Sequence, residues 1–260
     1  YVDGNVGMPS VEVMIISSII RENNQVHYTR DLNDKEISDS DFIILPSSII
    51  AHETELDCLM KLNEKRIFVT GIFATVMREK YLKKNTIVIK NESDTFFYNL
   101  NKSGKMNIDF LNKLFSNKDM INEFYSPVAL DDFPFPDWDN YVKNYPLRNN
   151  FFSLNEKIAI PLLGTRGCPY SCFFYCTYPL QQGRKVRARS VNNIIKEIKF
   201  WKKKLGTNKF VFRDPVFSIN KKNTIEFCKQ VIEQRLDITF MVETHLNNLD
   251  NEIIKLLKLA

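Results

Sequence analysis

Much is scarce in this 260-residue chain, and each scarcity removes a class of protein. With 8 Gly and 10 Pro it is neither collagenous nor low-complexity. No apolar run reaches the 18 or more residues of a membrane-spanning helix; the longest, residues 13–20, is interrupted by Ser17 and Ser18. Residues 1–9 lack the basic start and apolar stretch of a signal peptide. Five cysteines without such a leader do not make the disulfide framework of a small secreted domain, and they point to a reducing compartment, the cytoplasm. At 44% hydrophobic and 26% charged the composition is that of a globular protein, long enough for two domains or one and a half. The chain opens on Tyr1 rather than Met and closes inside an amphipathic helical pattern at 251–260, so it reads as a fragment at both ends.

Charge is unevenly spread. Residues 161–260 hold 18 Lys and Arg against 8 Asp and Glu, a balance of +10 within a whole-chain net of +5. Such a half can face an anionic ligand or a nucleic acid, but runs such as Lys202, Lys203 and Lys204 are more often the solvated side of a helix, so a nucleic-acid partner is not favoured.

Hydrophobic periodicity predicts alternating helices and strands. Val11, Met14, Ile15 and Ile19 recur at helical spacing; strands are expected at 25–28, 42–45, 66–70 and 87–90, with helices at 53–62 and 76–81. That alternation predicts a parallel sheet with helices on both faces. Residues 130–141 (LDDFPFPDWDNY) carry Asp, Pro and aromatics without a period and read as an ordered linker packed by its rings. Beyond it, strands are expected at 158–163, 209–212 and 238–242, and helices at 191–205, 223–234 and the chain end. The boundaries expected are a first domain at 1–120, a linker at 121–155 and a second domain at 156–260.

Three of the five cysteines fall within nine residues, Cys168, Cys172 and Cys176, just after a predicted strand. Cys58 and Cys228 sit in helical patterns and read as small buried hydrophobes. A structural zinc wants four ligands in two close pairs, and no second pair exists. Three thiols on one loop suit an iron-sulfur cluster with one iron left open to another ligand.

The motif Gly164-Thr165-Arg166-Gly167-Cys168-Pro169-Tyr170-Ser171-Cys172, followed by Tyr175-Cys176 and Pro179, resembles the cluster loop of the radical S-adenosylmethionine superfamily. Arg187-Ala188-Arg189-Ser190, Phe212-Arg213-Asp214-Pro215-Val216-Phe217 and Val242-Glu243-Thr244-His245 continue the likeness in the order of the subgroup with an N-terminal cobalamin-binding domain. The resemblance implies a doubly wound, Rossmann-like parallel sheet followed by part of a TIM-like (β/α) barrel. It implies that Cys168, Cys172 and Cys176 ligate a 4Fe-4S cluster, whose open iron chelates S-adenosylmethionine and drives its cleavage to a 5′-deoxyadenosyl radical. It places Tyr175 beside the adenine. It also sets Arg213, Asp214, Glu243, Thr244 and His245 at the C-terminal ends of barrel strands, where such barrels form their sites. Asp214 and Glu243 are the expected catalytic residues, and Arg166, Tyr175, Arg213, Glu243 and His245 the expected cofactor contacts. Against these stand plainer readings: a loop-turning or Arg213-paired Asp214, a Glu243 held by a basic neighbour, and a surface Arg166.

Two departures from the family stand out. The family spacing is CxxxCxxC, whereas this chain has CxxxCxxxC, which a bulge at Phe173 or Phe174 would accommodate. In the first domain, Val69-Thr70-Gly71-Ile72 keeps one of the paired glycines that let a cobalamin nucleotide tail approach the backbone, and no DxHxxG motif supplies an axial histidine. His52, before Glu53, reads as a helix-start residue with a capping role. Cobalamin therefore stays open. Methyl transfer is the expected reaction class if it binds, and hydrogen abstraction if it does not; an unidentified small molecule is the substrate and a flavodoxin or ferredoxin the electron donor. The alternatives are a degenerate, non-catalytic cluster- or ligand-binding protein and an RNA-modifying radical enzyme. At about 30 residues per barrel unit, residues 156–260 supply some three and a half units.

Overall fold

A computed structural model describes residues 10–29, 31–144, 159–172 and 176–260. It divides into two compact units: the first runs to Val128 and includes Leu180–Gln182, the second takes Ala129–Pro179 and Gly183–Ala260. The division at 128/129 falls inside the segment expected as linker.

The first unit is built on a three-stranded parallel sheet, β1 (Ile43–Pro46), β2 (Ile67–Thr70) and β3 (Thr86–Val88), in spatial order β1-β2-β3. Its register sets Ile43 opposite Ile67 and Val69 opposite Val88. Around it lie α1 (Val11–Arg21), α2 (Lys35–Asp39), α3 (His52–Lys61), α4 (Ile72–Val76), α5 (Arg78–Tyr81), α6 (Ser93–Lys102) and α7 (Ile108–Ser116). Strand alternation assigns the faces. Ile67 and Val69 pack with Leu59 of α3, Ala74 of α4 and Tyr81 of α5. Phe68, pointing the other way, meets the rings of Phe97 and Phe115 at 5.4 and 5.0 Å between centroids, on α6 and α7. A central strand buried on both faces is why residues 66–70 read as a continuous apolar run.

Two corrections arise here. Residues 25–28 form no strand: Tyr28 turns back onto α1, its hydroxyl hydrogen-bonded to Ser17. His52 does not cap α3 with its side chain; Ala51 is the N-cap, Ser48 Oγ accepts from Ala51 N–H at 3.1 Å, and His52 Nδ1 lies 2.9 Å from the Ile49 carbonyl.

The second unit has a parallel sheet of β4 (Ala159–Leu162), β7 (Lys209–Phe212) and β8 (Thr239–Met241), in order β4-β7-β8, and a short antiparallel pair, β5 (Thr165–Arg166) with β6 (Arg187–Ala188). Its helices are α8 (Trp138–Asn144), α10 (Val191–Leu205), α11 (Lys221–Glu233) and α12 (Asn251–Leu259), while α9 (Tyr178–Gln182) begins in this unit and has its last three residues in the first. Caps fix the long ones: Ser190 Oγ accepts from Asn193 N–H, Asn220 Oδ1 from Asn223 N–H and Asp250 Oδ1 from Ile253 N–H. Gly206, left-handed at φ 65°, ends α10. The α10 stripe of Val191, Ile194, Ile195, Ile198 and Trp201 is buried at helical spacing. The chain passes from β4 through α10 to β7 and from β7 through α11 to β8, each strand parallel to the last, which is barrel construction. The aromatic segment packs onto this unit, with Trp138 fully buried and the Phe135 ring 5.6 Å from that of Phe200.

Candidate functional site

The cysteine loop leaves the C-terminal end of β4, and its root is held by buried charge. Asp214, just past β7, is 1% exposed; its carboxylate accepts from Gly164 N–H at 2.7 Å and from the Thr165 hydroxyl at 2.8 Å. A Cβ on Gly164 would stand 3.0 Å from Asp214 Oδ2, so glycine permits this approach. From the other side Arg189 N–H donates to the Gly164 carbonyl at 2.9 Å and the Arg189 guanidinium to the Leu163 carbonyl at 3.0 Å. Arg189 is fixed in turn by Asn193 and by Glu197, a fully buried carboxylate that also accepts from Trp201 Nε1 at 3.2 Å. Burial pushes the Asp214 carboxyl up to about 6, against the opposing pull of its hydrogen bonds and of Arg189. A cavity of about 30 Å³, lined in part by Gly164, Asp214, Asn220 and Thr224, adjoins it. That volume suits one or two waters.

The next turn is set by Gly167, at φ +84°, where a Cβ would come 2.2 Å from the Lys185 carbonyl. Cys168 N–H donates to the Gly183 carbonyl at 3.1 Å. Arg184 Nη1 reaches the carbonyls of Pro169 and Tyr170 and, at 3.1 Å, Ser171 Oγ. Tyr170 then crosses to the segment after β8: its ring stacks on His245 at 4.5 Å and its hydroxyl donates to Asn248 Oδ1 at 2.8 Å.

Cys168 is buried, Cys172 and Cys176 are half-buried, and all three are free thiols. Three thiols within nine residues are the donor chemistry that an iron-sulfur cluster takes. Among the described residues no three His, Cys, Asp or Glu side chains are grouped as a metal site. Residues 173–175, which include Tyr175 and the expected bulge, lie outside the described residues.

The other expected site residues separate into two sets. Arg213 and Glu243 pair at 3.2 Å across the ends of β7 and β8 with side chains 38% and 60% exposed, so Glu243 is held by a basic neighbour yet reachable. The phenol of Tyr178, which is half-buried, is raised by desolvation, with Arg213 opposing and Glu243 adding. Asp214, Arg166 and His245 are engaged within the protein. Asp214 pairs with Gly164 and Thr165 rather than with Arg213. The surface reading of Arg166 is corrected: it is 2% exposed, its guanidinium 5.3 Å from the Phe133 ring centroid. His245 Nδ1 accepts from Asn247 N–H at 3.2 Å while its face carries Tyr170. Thr244 meets the Ser218 hydroxyl. Sequence reasoning missed Arg184, Glu197 and Asn248 as parts of the site. Only Glu197, a lone acid in the apolar stripe of α10, left a visible signal.

In the first unit Gly71, at φ +96°, has its Cβ space filled by the Ser47 carbonyl at 2.5 Å, and Ala74 N–H donates to Ser47 Oγ at 2.8 Å. Packing against Ser47 within the chain therefore already requires a glycine at this position. Burial also raises the carboxyl of Glu55, which accepts from Ser48 N–H and the Tyr81 hydroxyl.

No family model matches the chain. Among curated proteins, an uncharacterized methyltransferase of Pyrococcus horikoshii is 30% identical over 97 residues, covering 37% of this chain and 21% of the relative. The anaerobic magnesium-protoporphyrin IX monomethyl ester cyclase of Cereibacter sphaeroides is 24% identical over 242 residues, covering 84% of this chain and 37% of the relative. The chain thus spans well under half the length of these relatives. Among solved structures, the radical S-adenosylmethionine methyltransferase TsrM of Kitasatospora setae, with tryptophan and an S-adenosylmethionine analogue bound, matches at TM-score 0.65 and 11% identity, covering 98% of this chain and 55% of that one. The cobalamin-dependent S-adenosylmethionine radical enzyme OxsB matches at TM-score 0.61 and 14% identity, covering 90% of this chain and 36% of that one. In fold the chain is similar to these two solved structures, and over part of its sequence it is similar to the methyltransferase and the cyclase.

Proposed function

We propose that this chain is part of a radical S-adenosylmethionine enzyme, with residues 1–120 as a cobalamin-binding-like domain, 121–155 as linker and 156–260 as the first half of a barrel. The observation that carries the reading is the trio of free thiols on a braced loop at the C-terminal end of a barrel strand. Cys168, Cys172 and Cys176 would hold a 4Fe-4S cluster. When bound, such a cluster supplies the electron that cleaves the sulfonium of S-adenosylmethionine. Asp214 and Arg189 fix the root of the loop, Gly167 and Arg184 fix its first turn, and Arg213 with Glu243 present a charged pair at the strand ends for cofactor or substrate. A reducing compartment, the cytoplasm, keeps the thiols free, and an electron donor such as flavodoxin or ferredoxin supplies the reductant. Methyl transfer through cobalamin rests on the likeness to the relatives; hydrogen abstraction from a small molecule is the form the reaction takes without cobalamin.

Anaerobic reconstitution with iron and sulfide tests the reading. Uptake of about four irons per chain with broad visible absorption is expected, lost in Cys168→Ser, Cys172→Ser and Cys176→Ser and kept in Cys58→Ser and Cys228→Ser. Uptake that ignored the trio would sink it. The lengthened interval between Cys172 and Cys176 favours one second reading, a cluster- or ligand-binding protein without catalysis. A loaded protein that forms no 5′-deoxyadenosine from S-adenosylmethionine under reductant would support that reading.

A further inference from the structure

We propose that Tyr170, His245 and Asn248 form a latch that fixes the arm of the cysteine loop carrying Cys168 and Cys172 to the segment after β8, which makes His245 and Asn248 positioning residues for the thiols. The inference rests on the reading of those cysteines as cluster ligands, but its geometry is independent of any bound group.

Tyr170 lies midway between Cys168 and Cys172, so whatever fixes its ring fixes both flanking Cα positions to within two residues of chain. The ring is held at two places. Its face lies against His245 at 4.5 Å between centroids and 18° between planes, an offset-stacked arrangement that aromatic pairs favour. Its hydroxyl donates to Asn248 Oδ1 at 2.8 Å. Both partners belong to one turn, the 3₁₀ segment Leu246–Asn248 with His245 as its N-cap, and that turn also fixes the imidazole, because His245 Nδ1 accepts from Asn247 N–H at 3.2 Å. The imidazole cannot flip about its Cβ–Cγ bond without losing that hydrogen bond. The turn follows β8, whose register against β7 is set by Lys209 opposite Thr239 and Val211 opposite Met241. The arm is thereby keyed to a strand two positions across the sheet from β4, where the loop begins. Arg184 completes the clamp through the Pro169 and Tyr170 carbonyls and Ser171 Oγ. His245 therefore acts on the thiols through Tyr170.

The test uses the metal-free chain and the rates at which iodoacetamide alkylates each cysteine, resolved by mass spectrometry. Cys228 is fully buried, with its thiol pushed up to about 11 by burial, and serves as the internal monitor of folding. His245→Ala and Tyr170→Leu should raise alkylation of Cys172 and Cys168 by roughly two- to tenfold, the range an aromatic pair of this kind is worth. His245→Phe, which restores a flat ring, should bring the rates back toward wild type. Asn248→Ala removes only the acceptor of the hydroxyl and should give a smaller rise without disturbing Cys228. Unchanged rates at Cys168 and Cys172 in both Asn248→Ala and a folded His245→Ala would overturn the latch. If instead the rates rise as described while wild type takes up no iron, the latch stands and the cluster reading fails.

Discussion

Asp214 links the loop to pH in a direction opposite to that of an ordinary surface carboxylate. Its carboxyl is 1% exposed and held up to about 6, against 3.8 for an unperturbed aspartate, because burial disfavours the anion more than Gly164, Thr165 and Arg189 favour it. A group whose folded pKa is raised contributes stability that is complete below the unfolded value and is lost as pH rises through the folded one. A gap of about two pH units at 1.36 kcal/mol each corresponds to about 3 kcal/mol, given up progressively between pH 3.8 and a little above 6. Asp214→Asn leaves a neutral group of the same shape: its oxygen can accept from Gly164 N–H and its amide can donate to Thr165 Oγ1. The variant keeps the contacts and loses the titration.

Urea unfolding from pH 4.5 to 8 reads this directly, followed by tryptophan fluorescence. The chain has two tryptophans, Trp138 and Trp201, both buried in the unit that holds Asp214, so the signal reports that unit alone. The free-energy difference between variant and wild type should shift in favour of Asp214→Asn as pH rises, steeply around pH 4.5–6 and flat above 7. A difference that stays constant across the range would mean that Asp214 titrates as an exposed carboxylate, and the buried tie between β7 and the loop root would be refuted.

Other substitutions probe separate braces. Gly167→Ala combines a φ of +84° with a Cβ 2.2 Å from the Lys185 carbonyl, and should cost on the order of 2 kcal/mol or more in urea unfolding and reduce iron uptake. Arg189→Met leaves the buried Glu197 carboxylate without its cation and should destabilise the second unit by about 3–5 kcal/mol, with Arg189→Met combined with Glu197→Gln recovering much of the loss by the same fluorescence assay. Gly71→Ala drives a Cβ to 2.5 Å from the Ser47 carbonyl and should raise hydrogen exchange at Ser47 and Ala74 in the first unit whether or not cobalamin is present.

The sequence was legible where one physical signal dominated. Strand β7 and helix α10 stand where the periodicity put them, because an apolar run and a stripe of Val191, Ile194, Ile198 and Trp201 admit one solution. Helices α6 and α7 left little trace. Ser93–Lys102 (SDTFFYNLNK) is poor in helix formers, and its helix is supported by the burial of Phe96 and Phe97 against Phe68, a tertiary cause that no local window contains. The cysteine trio was plain from spacing alone. The contacts that brace it were not, because Asp214 with Gly164, Tyr170 with Asn248 and Arg189 with Leu163 join residues 26 to 78 positions apart.

The distribution of those braces bears on the widened cysteine spacing. Asp214, Arg189, Gly183, Arg184, His245 and Asn248 all contact the stretch from Leu163 to Ser171, before the interval from Cys172 to Cys176 that carries the extra residue. An added residue after Cys172 leaves each of those hydrogen bonds and ring contacts with its partner, whereas one added between Cys168 and Cys172 would pull Tyr170 off His245 or break the reach of Arg184. The extra residue therefore follows the arm that these contacts brace. Moving the extra residue makes the distinction measurable. Deleting Phe174, which restores the common spacing, should leave Cys168 alkylation in the metal-free chain unchanged, whereas inserting one glycine after Pro169 should raise it. Equal effects of the two changes would show that the loop responds as a whole and that its first arm is not separately held.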